Sequence, residues 1–200
     1  MAEGRFSVDP DLIDMHPQID RGELITKPSS TNGYLRYKDT ESGISPRALP
    51  GLEGYVHMAV TDEHDEDASL ISDEFTNPHK RRKMVEKRGR KFKVAVKDIK
   101  PPELEGAADA DISLVGWGST YGVIKEAVGL LAQRGVSANH LPIKWIVPFH
   151  ADAVSTILQQ AKKVIIVENN FSGQFARYLR SETGFQASGH IRKYDGEPFM

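Results

Sequence analysis

The 200-residue chain has 27% charged and 39% hydrophobic residues, an ordinary globular balance with enough apolar side chain for a core. A formal net charge of −2 argues against a general nucleic-acid binder, and no apolar run approaches the roughly 18 residues of a membrane span. The absence of cysteine excludes disulfides, thiolate zinc sites, a cysteine nucleophile and iron–sulfur ligation by this chain.

The first residues, Met1 to Asp9, lack the apolar stretch of a signal peptide, and a cytoplasmic protein is expected. Residues 1–50 hold prolines at Pro10, Pro17, Pro28, Pro46 and Pro50 and show no helical or strand period. Such a long irregular stretch wraps a partner or is disordered, and Tyr34, Leu35, Tyr37, Ile44 and Leu49 favour wrapping. Gly51 to Val60 reads as a strand. The acidic run Asp62 to Asp67 follows, with His57 and His64 nearby. It lacks the pattern of a calcium loop and fits a solvated turn that pairs with the basic segment after it.

That basic segment predicts a helix from Asn77 to Lys91, with Asn77 as N-cap and Pro78 at the first helical position. It carries Lys80, Arg81, Arg82, Lys83, Lys87, Arg88, Arg90 and Lys91, which read as an exposed face or a subunit contact. Phe92 to Lys97 alternates with period two, as an edge strand does. Lys100 to Gly106 is a linker.

From Asp111 the order is strand, helix, strand, helix, strand, helix, strand. Strands are expected at 111–116, near Ile143 to Val147, at Lys163 to Val167 and near Gly189 to Lys193. Helices are expected after Gly122, from Asp152 to Lys162 and from Ser172 to Thr183. Gly135 and Gly184 are suited to left-handed helix stops. Right-handed crossovers then give a three-layer α/β/α domain. Three regions are predicted: an extension over 1–60, an acidic loop with basic helix and linker over 61–106, and the α/β domain over 107–200.

Gly116-x-Gly118-x-x-x-Gly122 superficially matches a dinucleotide fingerprint. The next strand ends toward His150 without the carboxylate a Rossmann site wants, so tight strand-to-helix packing is the retained reading. Glu168, Asn169 and Asn170 follow an apolar strand at the sheet edge where functional groups gather, and Asn and Gln there equally suit a cap for the next helix. No nucleophile stands out: Ser45 is not in a Gly-x-Ser-x-Gly elbow, and the histidines lack triad or ligand spacing.

Several stretches together resemble one family. They are Tyr34 to Gly51 (YLRYKDTESGISPRALPG), Glu63 to Glu66 ahead of Arg82 to Arg88, Trp117 to Thr120, Val167 to Gln174 and Lys193 to Phe199. In order and spacing the chain, from about Ile19, is similar to the C-terminal part of the alpha subunit of 2-oxoacid:ferredoxin oxidoreductases, in particular the 2-oxoglutarate type. The resemblance implies a transketolase C-terminal-like fold, with a mostly parallel five-stranded sheet and one antiparallel edge strand, for which Phe92–Lys97 is the candidate. It implies a complex that oxidatively decarboxylates a 2-oxoacid to an acyl-CoA. That complex uses thiamine diphosphate, magnesium, an iron–sulfur cluster and CoA, and delivers electrons to ferredoxin.

The implied partners are a beta subunit, and gamma and delta subunits where the assembly has them; neither nucleic acid nor membrane is expected. The family's thiamine-pyrimidine domain and its Tyr-Pro-Ile-Thr-Pro-like segment are not found in this sequence. A fragment, a split subunit or a truncated reading frame is therefore expected, inactive alone and binding no cofactor by itself. The resemblance places Arg47 in a loop leaving the pyrimidine domain, as a fork for a carboxylate or phosphate or as a structural salt bridge. It makes Gly116, Gly118, Ser119, Thr120, Glu168, Asn169, Asn170 and Gln174 interface residues before ligand residues. The alternative is a stand-alone α/β module binding a phosphorylated ligand or CoA at the Gly116–Gly122 turn.

Overall fold

The computed structural model describes residues 14–18, 22–29, 33–71 and 77–199, which divide after Asp98 into two units. In the first, β1 (Leu24–Ile25) and β2 (Arg47–Ala48) form a short parallel pair. The expected strand from Gly51 to Val60 is instead a series of turns, with Leu52 N donating to Leu49 O and Tyr55 N to Leu52 O. The glycines explain the difference. Gly51 and Gly54 both have positive φ, and the Ser29 carbonyl lies where a Cβ on Gly54 would sit, so the chain bends back on itself.

Helix α1 spans Pro78–Asp98. Asn77 Oδ1 accepts the backbone N–H groups of His79 and Lys80, and Pro78 occupies a position that needs no donor. The helix runs through Phe92–Lys97, so no edge strand exists there. Six alternating residues fit either period, and an established helix extends without a new nucleation cost until a breaker intervenes. The first proline after it is Pro101.

The acidic turn does meet the basic helix. Lys80 pairs with Asp65 at 2.5 Å, Arg88 with Glu63 at 2.7 Å, and Lys83 with Glu66. The Arg88 bond holds Glu63 below the usual carboxylate range, and the Lys83 bond does the same for Glu66. Burial pushes Asp65 up, but its bonds to Lys80 and to the Glu66 backbone bring the net shift downward. Arg90 reaches back to Asp39 and donates to the Thr40 carbonyl. Lys87 sits beside these pairs yet is only 2% exposed. Burial lowers its pKa to about 8, and Lys91, Arg88 and Arg36 add repulsion that Asp39 opposes.

The second unit is a parallel sheet of β3 (Ile112–Trp117), β4 (Ala138–Ile143), β5 (Val164–Glu168) and β6 (Gly189–Arg192), in the order β4-β3-β5-β6. A 3-10 turn, Gly118–Thr120, leads into α2 (Tyr121–Gln133), followed by α3 (Ala151–Gln160) and α4 (Gln174–Thr183). Alternate strand residues feed two cores. Val115, Leu141, Val164 and Ile166 bury against Val154 and Leu158 of α3 and Phe175 and Leu179 of α4. Leu114 and Val167 face Ile124 of α2 on the other side. Each such side chain contributes about 1.5–3 kcal/mol on burial. Gly135 and Gly184 take left-handed φ at the ends of α2 and α4.

Two expectations shift here. The second strand is Ala138–Ile143, ending where Ile143–Val147 was expected to begin; its polar Asn139 is accommodated in the sheet by Nδ2 donating to Ala107 O at 2.7 Å. The fifth, antiparallel strand is reduced to a single bridge on the free edge of β4. There Glu105 N donates to His140 O at 2.8 Å and His140 N to Glu105 O at 2.9 Å.

A Cβ at Gly116 would overlap Ile124 Cδ1 and lie 2.5 Å from Thr120 Oγ1. Gly116→Ala should cost about 1–3 kcal/mol in urea unfolding, while Gly122→Ala, facing open space, should be neutral or stabilising by about 0.5–1 kcal/mol. Equal effects would mean that the turn is not closely packed. Lys87→Met should stabilise the chain at pH 7 by about 1–3 kcal/mol. Between pH 8 and 10.5 the unfolded chain binds the proton that native Lys87 has lost, so native stability rises with pH. The variant's advantage should therefore shrink toward pH 10, and an advantage constant with pH would refute the buried ammonium.

Candidate functional site

Parallel strands put all their carboxyl ends on one edge, and the residues singled out from the α/β run gather there. At the end of β3, Trp117 leads into Gly118, whose φ of 59° opens the 3-10 turn. Ser119 is exposed, and Thr120 is buried with Oγ1 donating to Trp117 O at 2.9 Å. Gly116 is the position where helix and strand touch. This turn thus has a packing reason for its first glycine and a conformational reason for its second.

At the end of β5, Glu168 is completely buried. Its Oε2 accepts Phe175 N at 2.9 Å and Asn170 Nδ2 at 2.7 Å, and its Oε1 accepts Ala176 N at 3.4 Å. Asn170 Oδ1 takes Gly173 N at 2.8 Å and Gln174 N at 3.1 Å. Carboxylate and amide together satisfy the first turn of α4, where a negative group also meets the positive end of the helix dipole. Asn169 and the Gln174 side chain remain exposed. Arg47, in the other unit, is also exposed. Its backbone N donates to Glu23 O, and its guanidinium makes no ion pair among the described residues.

Large apolar side chains crown the same edge. Trp117 follows from β3, Trp145 and Val147 from β4, Phe171 from β5 and Tyr194 from β6, with exposures from 39% to 70%. Phe171 and Tyr194 meet edge to face at 5.0 Å, and Trp117 approaches Phe175 at 6.2 Å, so the surface is ordered by aromatic pairing.

The sequence reading missed one cluster. Tyr121 Oη donates to the Glu105 carboxylate at 3.0 and 3.2 Å, and Glu105 lies 3.9 Å from buried His140. Burial holds this imidazole below the usual histidine range, against the attraction of Glu105, and neither ring nitrogen has a hydrogen-bond partner. The three residues lie far apart in sequence and join through the single antiparallel bridge. A strand placed at Ala138 would have been the signal.

Residues 110–196 match the family profile described as pyruvate:ferredoxin oxidoreductase core domain II. The alpha subunit of 2-oxoacid:ferredoxin oxidoreductase 2 from Aeropyrum pernix is 36% identical over 197 residues, covering 97% of this chain and 29% of that protein. The 2-oxoglutarate oxidoreductase subunit KorA of Mycobacterium tuberculosis is 33% identical over 148 residues, 72% of this chain and 21% of that one. The solved 2-oxoglutarate:ferredoxin oxidoreductase of Magnetococcus marinus, with 2-oxoglutarate, coenzyme A and succinyl-CoA bound, matches with a TM-score of 0.74 and 32% identity. That match covers 86% of this chain and 30% of that one. The chain belongs to the alpha-subunit family of the 2-oxoacid:ferredoxin oxidoreductases.

The alpha-subunit relative spans under a third of each of these proteins. Its own residues do not fit the family's metal groups. It has no thiolate for a cluster, and among the described residues no three His, Asp or Glu side chains converge to hold a metal ion. No described helix is long and apolar enough to cross a membrane.

Glu168→Ala should cost about 2–4 kcal/mol in chemical denaturation, since charge-assisted bonds vanish and buried N–H groups lose partners. Glu168→Gln should cost less. A Glu168→Gln variant as stable as the parent chain, with the whole loss confined to Glu168→Ala, would show that the carboxylate contributes only volume.

Proposed function

We propose that this chain is an assembly element of a thiamine-dependent 2-oxoacid:ferredoxin oxidoreductase of the 2-oxoglutarate class, acting in the cytoplasm. The complex converts a 2-oxoacid and CoA to an acyl-CoA and carbon dioxide, with electrons passed to ferredoxin. Thiamine diphosphate with magnesium would supply the carbanion chemistry, and an iron–sulfur cluster the electron exit, both from outside this chain. What carries the reading is the ordered aromatic edge: Trp117, Trp145, Phe171 and Tyr194 stand exposed at the ends of four strands. Exposed aromatics of this kind are enriched at protein interfaces.

The chain's contribution is positional. Gly116, Gly118, Ser119 and Thr120 shape one part of the docking edge, and Glu168, Asn169, Asn170 and Gln174 shape another. Buried Glu168 holds its part rigid. The partners are a cluster-bearing beta subunit, and gamma and delta subunits where the assembly has them. Arg47 is a further contact, its exposed guanidinium free of ion pairs among the described residues and suited to a partner carboxylate or a phosphate.

The packing at Gly116 accounts for the glycine turn without a nucleotide, so no second reading is retained. The tagged chain should capture a cysteine-rich beta subunit and recover thiamine-dependent 2-oxoglutarate:viologen activity in the eluate, while the chain alone turns over nothing. Trp145→Ser with Phe171→Ser, both at exposed positions, should weaken that capture at least about tenfold. Unchanged capture by the variant would remove the aromatic edge from the interface, and failure to capture any such subunit would refute the assembly role.

A further inference from the structure

Beside the aromatic edge, α4, β6 and the loop after Phe171 line an open cleft of about 260 Å³ whose charged lining is of one sign. Arg177 and Arg180 are three apart on α4 and share a helix face. His190 and Arg192 are two apart on β6 and share a sheet face. The two elements therefore direct three guanidiniums and an imidazole into one space. Ser172 and Gln186 add neutral donors, and Ala176, Phe185 and Ala187 supply an apolar floor. No lining residue is acidic.

Among the described residues none of these cations is neutralised, and only Arg192 is tied to the fold. Arg177, Arg180, His190 and Arg192 form no ion pair among the described residues, and Arg192 donates one bond, to Phe171 O at 2.9 Å. Glu168 comes near from behind Gly173, but its oxygens are taken by Phe175 N, Ala176 N and Asn170 Nδ2. The first turn of α4 is likewise spent on Glu168 and Asn170, so the attraction for an anion comes from the side chains. Ala176, Phe185 and Ala187 all pack against the hydrophobic core, which fixes the floor and keeps one side of the cleft in low dielectric. Like charges gathered over such a floor focus the field outward. Three arginines free of ion pairs among the described residues leave their forks available to an anion.

The geometry points to an oxyanion site for a phosphoryl group, bound by Arg177, Arg180 and Arg192 with His190 at the rim. Guanidinium forks match phosphate oxygens in pairs, and the volume suits a phosphate or diphosphate rather than a whole cofactor. The site borders the proposed docking edge, where Arg192 donates to Phe171 O, but its anion chemistry does not depend on the assembly reading.

The test is titration of the 200-residue chain with inorganic phosphate and pyrophosphate at constant ionic strength, followed by backbone amide NMR and calorimetry. Saturable shifts confined to α4 and β6 are expected, with pyrophosphate binding tighter than phosphate. Arg177→Ala with Arg180→Ala should weaken pyrophosphate about a hundredfold, about tenfold per arginine. Lys144→Ala with Lys163→Ala removes the same net charge from exposed positions elsewhere on this unit and should leave affinity within about twofold.

A nucleoside diphosphate binding more tightly than pyrophosphate would identify an esterified phosphoryl group as the ligand, and equal affinity would identify free polyphosphate. Either result supports the site. Non-saturating shifts, shifts spread over the surface, or equal losses in both double variants would overturn it.

Discussion

The second unit turns on a buried carboxylate. Glu168 leaves the end of β5 with no solvent exposure and survives there because α4 begins directly over it, offering backbone donors and the positive end of a helix dipole. That arrangement ties the central strand to the outer helix at their junction. It also fixes the short loop between them, so Phe171 projects outward on one side and the cationic face of α4 lies over β6 on the other. Removing the charge would leave donors unpaired; removing the helix would leave a charge stranded in the core. Each element justifies the other.

The first unit is organised on a different principle. Among the described residues its regular structure is one long helix and a two-residue strand pair, and its core includes Ala48, Ala68, Ile71 and Met84. The acidic turn from Glu63 to Glu66 is fastened to α1 by three ion pairs, with Asp39 and Arg90 adding a fourth. Pairs of this kind, partly open to water, hold geometry more than they add stability. Lys87 shows the limit of the device. It lies among these pairs without joining one, so burial drives its pKa down to about 8.

Membership of the alpha-subunit family gives these features a setting. The parallel sheet supplies a rigid edge on which loops can carry contacts, and four of them end in exposed aromatic residues. The basic cleft borders it, against the free edge of the sheet at β6, where no further strand covers His190 and Arg192 among the described residues. One small unit can thus present an apolar surface and a cationic one without either disturbing the core.

Much was legible in the chain itself. Apolar runs at 112–117 and 164–168, glycine stops at Gly135 and Gly184, and the Asn77-Pro78 helix start are local signals, and local chemistry realised them. The family's motifs, read in order, fixed what the chain is similar to. Short alternation misled at Phe92–Lys97, because a six-residue pattern cannot outweigh a helix already under way. The strand at Ala138–Ile143 was displaced in the reading because Asn139 and His140 are polar and are buried there only by packing across the fold. Periodicity determined which segments would bury a face and on which period. Tertiary structure alone decided that Glu168 caps a helix, that Glu105, His140 and Tyr121 meet, and that four cations share one cleft. Those outcomes depend on distances between residues far apart in sequence, which packing sets and local propensity does not encode.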